Sequence, residues 1–128
     1  MSSRILIADD EPNIVTSLEY LMQRSGYDVR IARNGEEALA LVASFAPAMV
    51  LLDVMMPRIS GYDVCQKIRE NPDWRGIKIL MLSAKGREAE VSKGLSLGAD
   101  AYVTKPFSNQ DLLATIASLL AGASSGER

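Results

Sequence analysis

The run Met49-Val50-Leu51-Leu52 carries no polar side chain until Asp53 closes it. A strand with one wet face alternates apolar and polar residues. An unbroken apolar run instead fits a strand covered on both faces, as in a parallel sheet. Parallel neighbours cannot be joined by a tight turn and need long crossovers, usually helical. The chain supplies them. Ile5 to Ala8 predicts a first strand, closed by Asp9-Asp10-Glu11. Pro12 suits the first turn of a helix, and Ile14, Leu18, Leu21 and Met22 recur at helical spacing up to Ser25-Gly26. Val29 to Ala32 predicts a second strand. Asn34 with Glu37 gives a capping signature for a helix whose apolar face is Ala38, Leu39, Val42 and Phe45, ending at Pro47.

After the third strand, Ser60 and Asp63 cap a helix that buries Val64 and Ile68 and stops at Asn71-Pro72. Ile77 to Leu82 predicts the fourth strand, with Lys78 near its start and Ser83 at its end. Val91 and Leu95 are expected to face inward on the fourth helix, which stops near Gly98. Gly94 within it costs ~1 kcal/mol relative to Ala and marks it as the least stable helix. Ala101 to Val103 predicts the fifth strand. Ser108 and Asp111 cap a last helix with Leu112, Leu113, Ile116, Leu119 and Leu120 on its buried face. Five strands alternating with five helices specify an α/β domain, doubly wound around a five-stranded parallel sheet. Right-handed crossovers narrow the topology, and 2-1-3-4-5 is a common order. One domain is expected over residues 1–121, followed by a flexible tail, 122–128.

Composition closes several functional classes. Net charge is −2 and no basic tract exists, which argues against intrinsic nucleic-acid binding. No apolar run approaches the ~20 residues of a membrane span, and the N-terminus is not a signal peptide, so neither membrane insertion nor export is expected. There is no His, which excludes His catalysis and His metal sites. The single Cys65 cannot form an internal disulfide, fits a cytoplasmic location, and reads as a packing residue. Trp74 reads as a surface cover without function.

In the 2-1-3-4-5 order, strands one and three meet at the switch point, where open α/β sheets bind ligands. Strand one ends in Asp9 and Asp10, strand three in Asp53, strand four in Ser83, and Lys105-Pro106 lies just past strand five. Alone, each has an ordinary role: Asp9 an N-cap, Asp53 a turn, Tyr102 an edge-strand aromatic, Lys105 a solvated charge. Together, five polar groups on one rim exceed turn chemistry. Crowded carboxylates repel unless a cation is present. Lys105 is one cation. An all-oxygen divalent site is the other, and with no His the hard-cation choice is Mg²⁺. An Asp beside Mg²⁺ can attack a phosphoryl group, while Lys105 and the Ser83 hydroxyl stabilise the transferred oxygens. No Gly-rich Walker pattern occurs, so nucleotide binding of the P-loop kind is not expected.

These residues resemble the receiver domain of bacterial two-component response regulators. The resemblance spans residues 4–120 and rests on Asp9-Asp10, the Asp53-x-x-Met56-Pro57-x-x-x-Gly61 run, Ser83-Ala84, Gly98-Ala99-Asp100, and Tyr102-x-x-Lys105-Pro106-Phe107. It implies a flavodoxin-like fold with Asp53 as phosphoacceptor. Asp10 and, largely through water, Asp9 would bind Mg²⁺ along with Asp53 and the Met55 backbone carbonyl. Lys105 would pair with the phosphoryl group, and Ser83 and Tyr102 would be switch residues. A cis bond between Lys105 and Pro106 is also implied.

The donor would be a histidine kinase or histidine phosphotransfer protein, and the output a downstream protein effector. Such a protein is not an enzyme but a phosphoacceptor switch that supports its own phosphotransfer and slow dephosphorylation. Met55 and Lys85, two positions after the acceptor and after Ser83, would set the phosphoryl lifetime. An aspartyl-phosphate phosphatase of haloacid-dehalogenase type is disfavoured, because Met55 stands where its acid/base Asp would be. A phosphorylation-independent docking module is disfavoured by the complete acid set and Lys105. The face of the fourth helix, fifth strand and fifth helix reads Ser92, Lys93, Ser96, Ala101, Thr115 and Ser118. It lacks the paired charges that DNA-binding relatives of winged-helix type use to dimerise. No DNA-binding segment follows residue 120 in this sequence, so the expectation is either a stand-alone receiver, the favoured alternative, or a fragment of a longer regulator.

Overall fold

The computed structural model describes residues 3–84 and 86–124. Its strands are β1 (Arg4–Ala8), β2 (Asp28–Ala32), β3 (Met49–Asp53), β4 (Lys78–Ser83) and β5 (Ala101–Thr104). The helices between and after them are α1 (Pro12–Arg24), α2 (Gly35–Phe45), α3 (Gly61–Glu70), α4 (Glu88–Ser96) and α5 (Asn109–Ser124), with a 3₁₀ turn at Pro72–Trp74. All pairings are parallel, in the order β2-β1-β3-β4-β5. The capping signatures act as expected. The Asn34 side chain accepts from the Glu37 N–H at 2.9 Å, Ser60 and Asp63 form a reciprocal capping box, and the Asp111 N–H donates to Ser108 Oγ at 3.2 Å.

Every residue of β3 is buried, as its unalternated sequence requires. Leu6, Ala8, Val50, Leu52, Ile79 and Met81 point to one face of the sheet and pack with Ala38, Val42, Val64, Cys65 and Ile68 of α2 and α3. Ile5, Ile7, Met49, Leu51, Leu80 and Leu82 point to the other, with Leu18 and Met22 of α1 and Leu112 and Ile116 of α5. Cys65 is a packing residue, and burial pushes its thiol up to about 11. Val15, absent from the expected α1 face, is buried, while Ile14 and Leu21 are only partly so. Trp74 packs half-buried against the first of these clusters.

The fourth helix departs from its sequence reading. Leu95 does not face inward but is 45% exposed, and Val91 is half-buried. The reason is Gly94. A Cβ there would come within 2.8 Å of Met81 Sδ and 3.0 Å of Tyr102 Cδ2, so α4 meets the sheet through this bare backbone. Leu95, about 100° further round the axis, is turned to the rim. Gly94 is therefore a site of close approach. Its propensity cost is only part of its role.

At the C-terminus α5 continues to Ser124, so residues 122–124 of the expected tail are helical; residues 125–128 lie outside the described residues. No helix among the described residues is long and apolar enough to cross a membrane.

Candidate functional site

Parallel strands deliver their carboxyl ends to one edge, and the register fixes which side chains meet there. Ala8 of β1 pairs with Leu52 of β3, and Asp53 pairs with Leu82 of β4, so Asp9, Asp53 and Ser83 are successive rim residues. Asp9 prolongs β1 by donating its N–H to the Ala32 carbonyl at 3.0 Å, and its Oδ1 accepts from the Glu11 N–H at 3.0 Å. It is not the cap of α1, where Glu11 holds the N-cap position without a side-chain bond. Asp53 Oδ1 accepts from the Met55 N–H at 3.3 Å. Asp9 is 1% exposed, Asp53 5% and Ser83 fully buried, whereas Asp10 is exposed.

The loop after β5 brings the cation. The Lys105 N–H donates to the Ser83 carbonyl at 2.8 Å, and the Lys105–Pro106 peptide is cis, as the resemblance implied. Lys105 Nζ lies 3.1 Å from Asp9 Oδ2 and 3.5 Å from Asp53 Oδ1. Burial raises the Asp53 carboxyl, the neighbouring Asp9 charge raises it further, and Lys105 and the Met55 N–H pull it back only in part, leaving it at about 6. Burial pushes the Lys105 ammonium down, but Asp53 and Asp9 outweigh it and its pKa ends above the ordinary value.

The donor set suits a hard cation. Asp9, Asp10 and Asp53 each offer an oxygen, and these oxygens lie within 4.8 Å of one another. Oxygen-only donors on two buried acids and one exposed acid suit Mg²⁺, which keeps part of its water shell. One ammonium shared by two buried carboxylates leaves the cluster short of positive charge, as the raised Asp53 carboxyl indicates.

The structure thus brings Asp9, Asp10, Asp53 and Lys105 together and sets Ser83 on the adjoining strand end. Met55 follows in the β3–α3 loop and is 55% exposed. Tyr102 lies farther along β5, half-buried beneath α4 and against Gly94. Lys85 lies outside the described residues. Two contributions were not read from the sequence. Gly61 begins α3 hard against the end of β3: a Cβ there would collide with the Asp53 carbonyl oxygen, and its N–H donates to the Val54 carbonyl at 2.9 Å. Tyr62, the next residue, joins α3 to α4 through its hydroxyl, which donates to the Glu90 carbonyl at 3.2 Å. The Gly in the loop-to-helix run signalled the first. Nothing local signalled the second, whose partner is 28 residues away.

Comparison with known proteins agrees with this arrangement. A family model described as the response regulator receiver domain matches residues 5–117. The chain is 45% identical over 120 residues to the alkaline phosphatase synthesis transcriptional regulatory protein PhoP of Bacillus subtilis (strain 168), covering 94% of this chain and 49% of PhoP. It is 43% identical over 120 residues to the response regulator MprA of Mycolicibacterium vanbaalenii, covering 94% and 51%. It therefore spans about half the length of the curated relatives it matches. Among solved structures, a CheY-like response regulator receiver domain protein from Methanospirillum hungatei superposes with a TM-score of 0.91 at 29% identity, over 98% of this chain and 99% of that one. The chemotaxis protein CheY4 of Vibrio cholerae does so at 0.88 and 28%, over 93% and 99%.

Proposed function

The chain belongs to the response regulator receiver family, and from that premise we propose that it is a phosphorylation-driven switch with Asp53 as the phosphoacceptor. One observation carries the reading: a buried carboxylate, Asp53, is held 3.5 Å from a lysine ammonium and inside a three-acid cluster at the carboxyl edge of the sheet. An Asp53 oxygen attacks phosphorus, and the bond from phosphorus to the donor breaks. The donor is a phosphohistidine of a histidine kinase or histidine phosphotransfer protein, since none of the 128 residues is His. A small acyl phosphate can substitute for it.

Asp10, Asp9, Asp53 and the Met55 carbonyl would hold Mg²⁺, which when bound supplies charge stabilisation for the phosphoryl oxygens. Lys105 changes partner during transfer, from the acids to a phosphoryl oxygen. Ser83 donates its hydroxyl to another phosphoryl oxygen as a charge-assisted bond. The chain thus supports its own phosphotransfer and a slow dephosphorylation without acting on a separate substrate. Its setting is the cytoplasm.

Output is proposed for the face of α4, β5 and α5. Recruitment of Ser83 to the phosphate changes the packing next to Tyr102, and a small rearrangement of α4 follows. Leu95 presents an exposed apolar side chain on this face beside the exposed Ser92, Lys93 and Ser96. Ala101 and Thr115 are half-buried rather than fully presented, and Thr115 Oγ1 donates back to the Asp111 carbonyl at 2.9 Å. A protein effector with an apolar contact suits this surface better than a charged one, and no intrinsic nucleic-acid binding is proposed for it.

Intact-mass measurement tests the acceptor. With acetyl phosphate and Mg²⁺ the mass should rise by one phosphoryl group, and with chelator it should not. Undiminished labelling of Asp53→Asn would overturn the assignment.

A further inference from the structure

The corner between α4 and β5 lies at the sheet edge opposite the acids, and one side chain holds it. Arg69, in the last turn of α3, spreads its guanidinium over three segments. Nε donates to the Gly98 carbonyl at 2.8 Å, Nη2 to Asp100 Oδ2 at 2.9 Å, and Nη1 to the Ile77 carbonyl at 2.8 Å. Nη1 also reaches the Arg75 carbonyl at 3.4 Å. The planar fork of an arginine fixes these directions relative to one another. Asp100 closes the arrangement on β4: its Oδ2 accepts from the Ile79 N–H at 2.8 Å, and its own N–H donates to the Ile79 carbonyl at 2.8 Å. Gly98 stands at φ +113°, and a Cβ there would come within 2.7 Å of Arg69 Cγ, so the corner passes tightly over the arginine stem. One turn earlier on α3, the Cys65 thiol donates to the Leu97 carbonyl at 3.6 Å.

We propose that Arg69 is a positioning residue of the switch: its fork on Gly98 and Asp100 fixes the C-terminal end of α4 as a pivot, so that the helix tilts at its N-terminal turns. This rests on the reading of α4 as the element that phosphorylation rearranges, and it adds where that motion is anchored. The two ends of α4 differ in kind. At the corner the bonds are charge-assisted and partly buried, and they come from α3. At the first turn Arg87 bonds Glu90, contacts that travel with the helix, and the Tyr62 hydroxyl meets the Glu90 carbonyl as a neutral bond at 3.2 Å. Charge-assisted bonds are roughly twice as strong as neutral ones. A nine-residue helix is ~13 Å long, so a tilt of ~10° about one end moves the other by ~2 Å.

Amide exchange on the whole chain, with and without beryllofluoride and Mg²⁺, tests the pivot. The N–H groups of Gly98, Ala99 and Asp100 donate to the Leu95, Gly94 and Ile79 carbonyls and report the corner; those of Glu90 and Val91 donate to the Arg87 carbonyl and report the first turn. In the wild type, beryllofluoride should change exchange at Glu90 and Val91 about 5-fold or more, the effect of one ordinary hydrogen bond, and leave the corner within about 2-fold. Arg69→Lys keeps the charge and loses the fork. There the corner amides should respond to beryllofluoride about 5-fold as well, while exchange in α1 is unchanged. A merely structural role would accelerate the corner equally with and without beryllofluoride. Asp100→Asn, which removes the charge and keeps an acceptor for the Ile79 N–H, should give a smaller response in the same direction.

Corner amides that respond in the wild type as strongly as Glu90 and Val91 would overturn the pivot while leaving α4 the moving element. So would an Arg69→Lys corner whose exchange is equally fast with and without beryllofluoride. The wild-type contrast stands on its own, and Asp100→Asn repeats the comparison if Arg69→Lys does not fold. The underlying reading fails differently. If Asp53 takes a phosphoryl group and no α4 amide responds to beryllofluoride, the output assignment falls, and the pivot with it.

Discussion

Replacing Asp53 by Asn should stabilise the protein in the absence of divalent cation, with a pH dependence that identifies the cause. The Asp53 carboxyl stands at about 6 in the fold against an ordinary 3.8. The difference is about two pK units, on the order of 3 kcal/mol of preference for the neutral form. That figure already contains the attraction of Lys105, because it is a net shift. Between these two values the folded chain keeps a proton that the unfolded chain has released. Stability therefore falls as pH rises through this window, and the full deficit is present above about 6. Below the ordinary value both states are protonated and the deficit vanishes. Asn mimics the neutral carboxyl and has no such slope.

Chemical denaturation with chelator should give Asp53→Asn a gain of ~1–3 kcal/mol above about pH 7, shrinking towards zero near pH 4. For a domain of this size that is roughly 3–6 °C in Tm per kcal/mol. Saturating Mg²⁺ should narrow the gap by neutralising the wild-type cluster. A variant less stable than wild type above pH 7, or a gain constant with pH, would refute the argument that burial and Asp9 leave Asp53 uncompensated.

Three further outcomes follow from the same geometry. Met55→Asn should accelerate hydrolysis of the phosphoprotein, because an exposed side chain at the rim that cannot hydrogen-bond is replaced by one that can orient water; an unchanged decay rate, read by mass against time, counts against it. Leu95→Glu, Ala101→Glu and Tyr102→Ala should each weaken a phosphorylation-selective protein partner while leaving Asp53 labelling largely intact, and wild-type capture by all three in a pull-down would move the output surface elsewhere, with α1 the next candidate. Gly94→Ala should destabilise by ~1–3 kcal/mol through overpacking on Met81 and Tyr102, despite the ~1 kcal/mol that Ala gains in helix propensity; a rise in the urea midpoint would show that α4 can lift off without cost.

The central strands β1, β3 and β4 were legible because their burial on both faces leaves unbroken apolar runs, and the caps because Asn34, Ser60 and Ser108 bond within three residues of themselves. The acid cluster was legible for a related reason. In a parallel sheet every strand ends on the same edge, so Asp9, Asp53 and Ser83 could be placed together from strand order alone. Local pattern failed where the deciding contact was distant. The spacing of Val91 and Leu95 fits an inward helical stripe, yet the face of α4 is set by what Gly94 must clear, Met81 on β4 and Tyr102 on β5. An apolar periodicity reports which residues could be buried, and a glycine pressed on its neighbours reports which one is.

On the proposed reading, the same distinction separates an acceptor half of the site from an output half. The acceptor half is electrostatic and short of positive charge: two buried carboxylates share one ammonium, and Asp53 stays raised despite it. A group that adds charge there, or the cation that balances it, acts on an already strained balance, so a local event can shift the energy by kilocalories. The output half is governed by packing and nearly neutral hydrogen bonds, with Tyr102 against Gly94 and Tyr62 on Glu90. Contacts of that kind are worth about 1 kcal/mol each and can be exchanged singly. On the proposed reading, coupling a large electrostatic change to a set of small, separable contacts would let a phosphoryl-sized perturbation at Asp53 redistribute α4 without threatening the fold. On this argument, mutations at Asp9 or Lys105 should alter both stability and signalling, whereas a mutation at the exposed Leu95 should alter signalling alone.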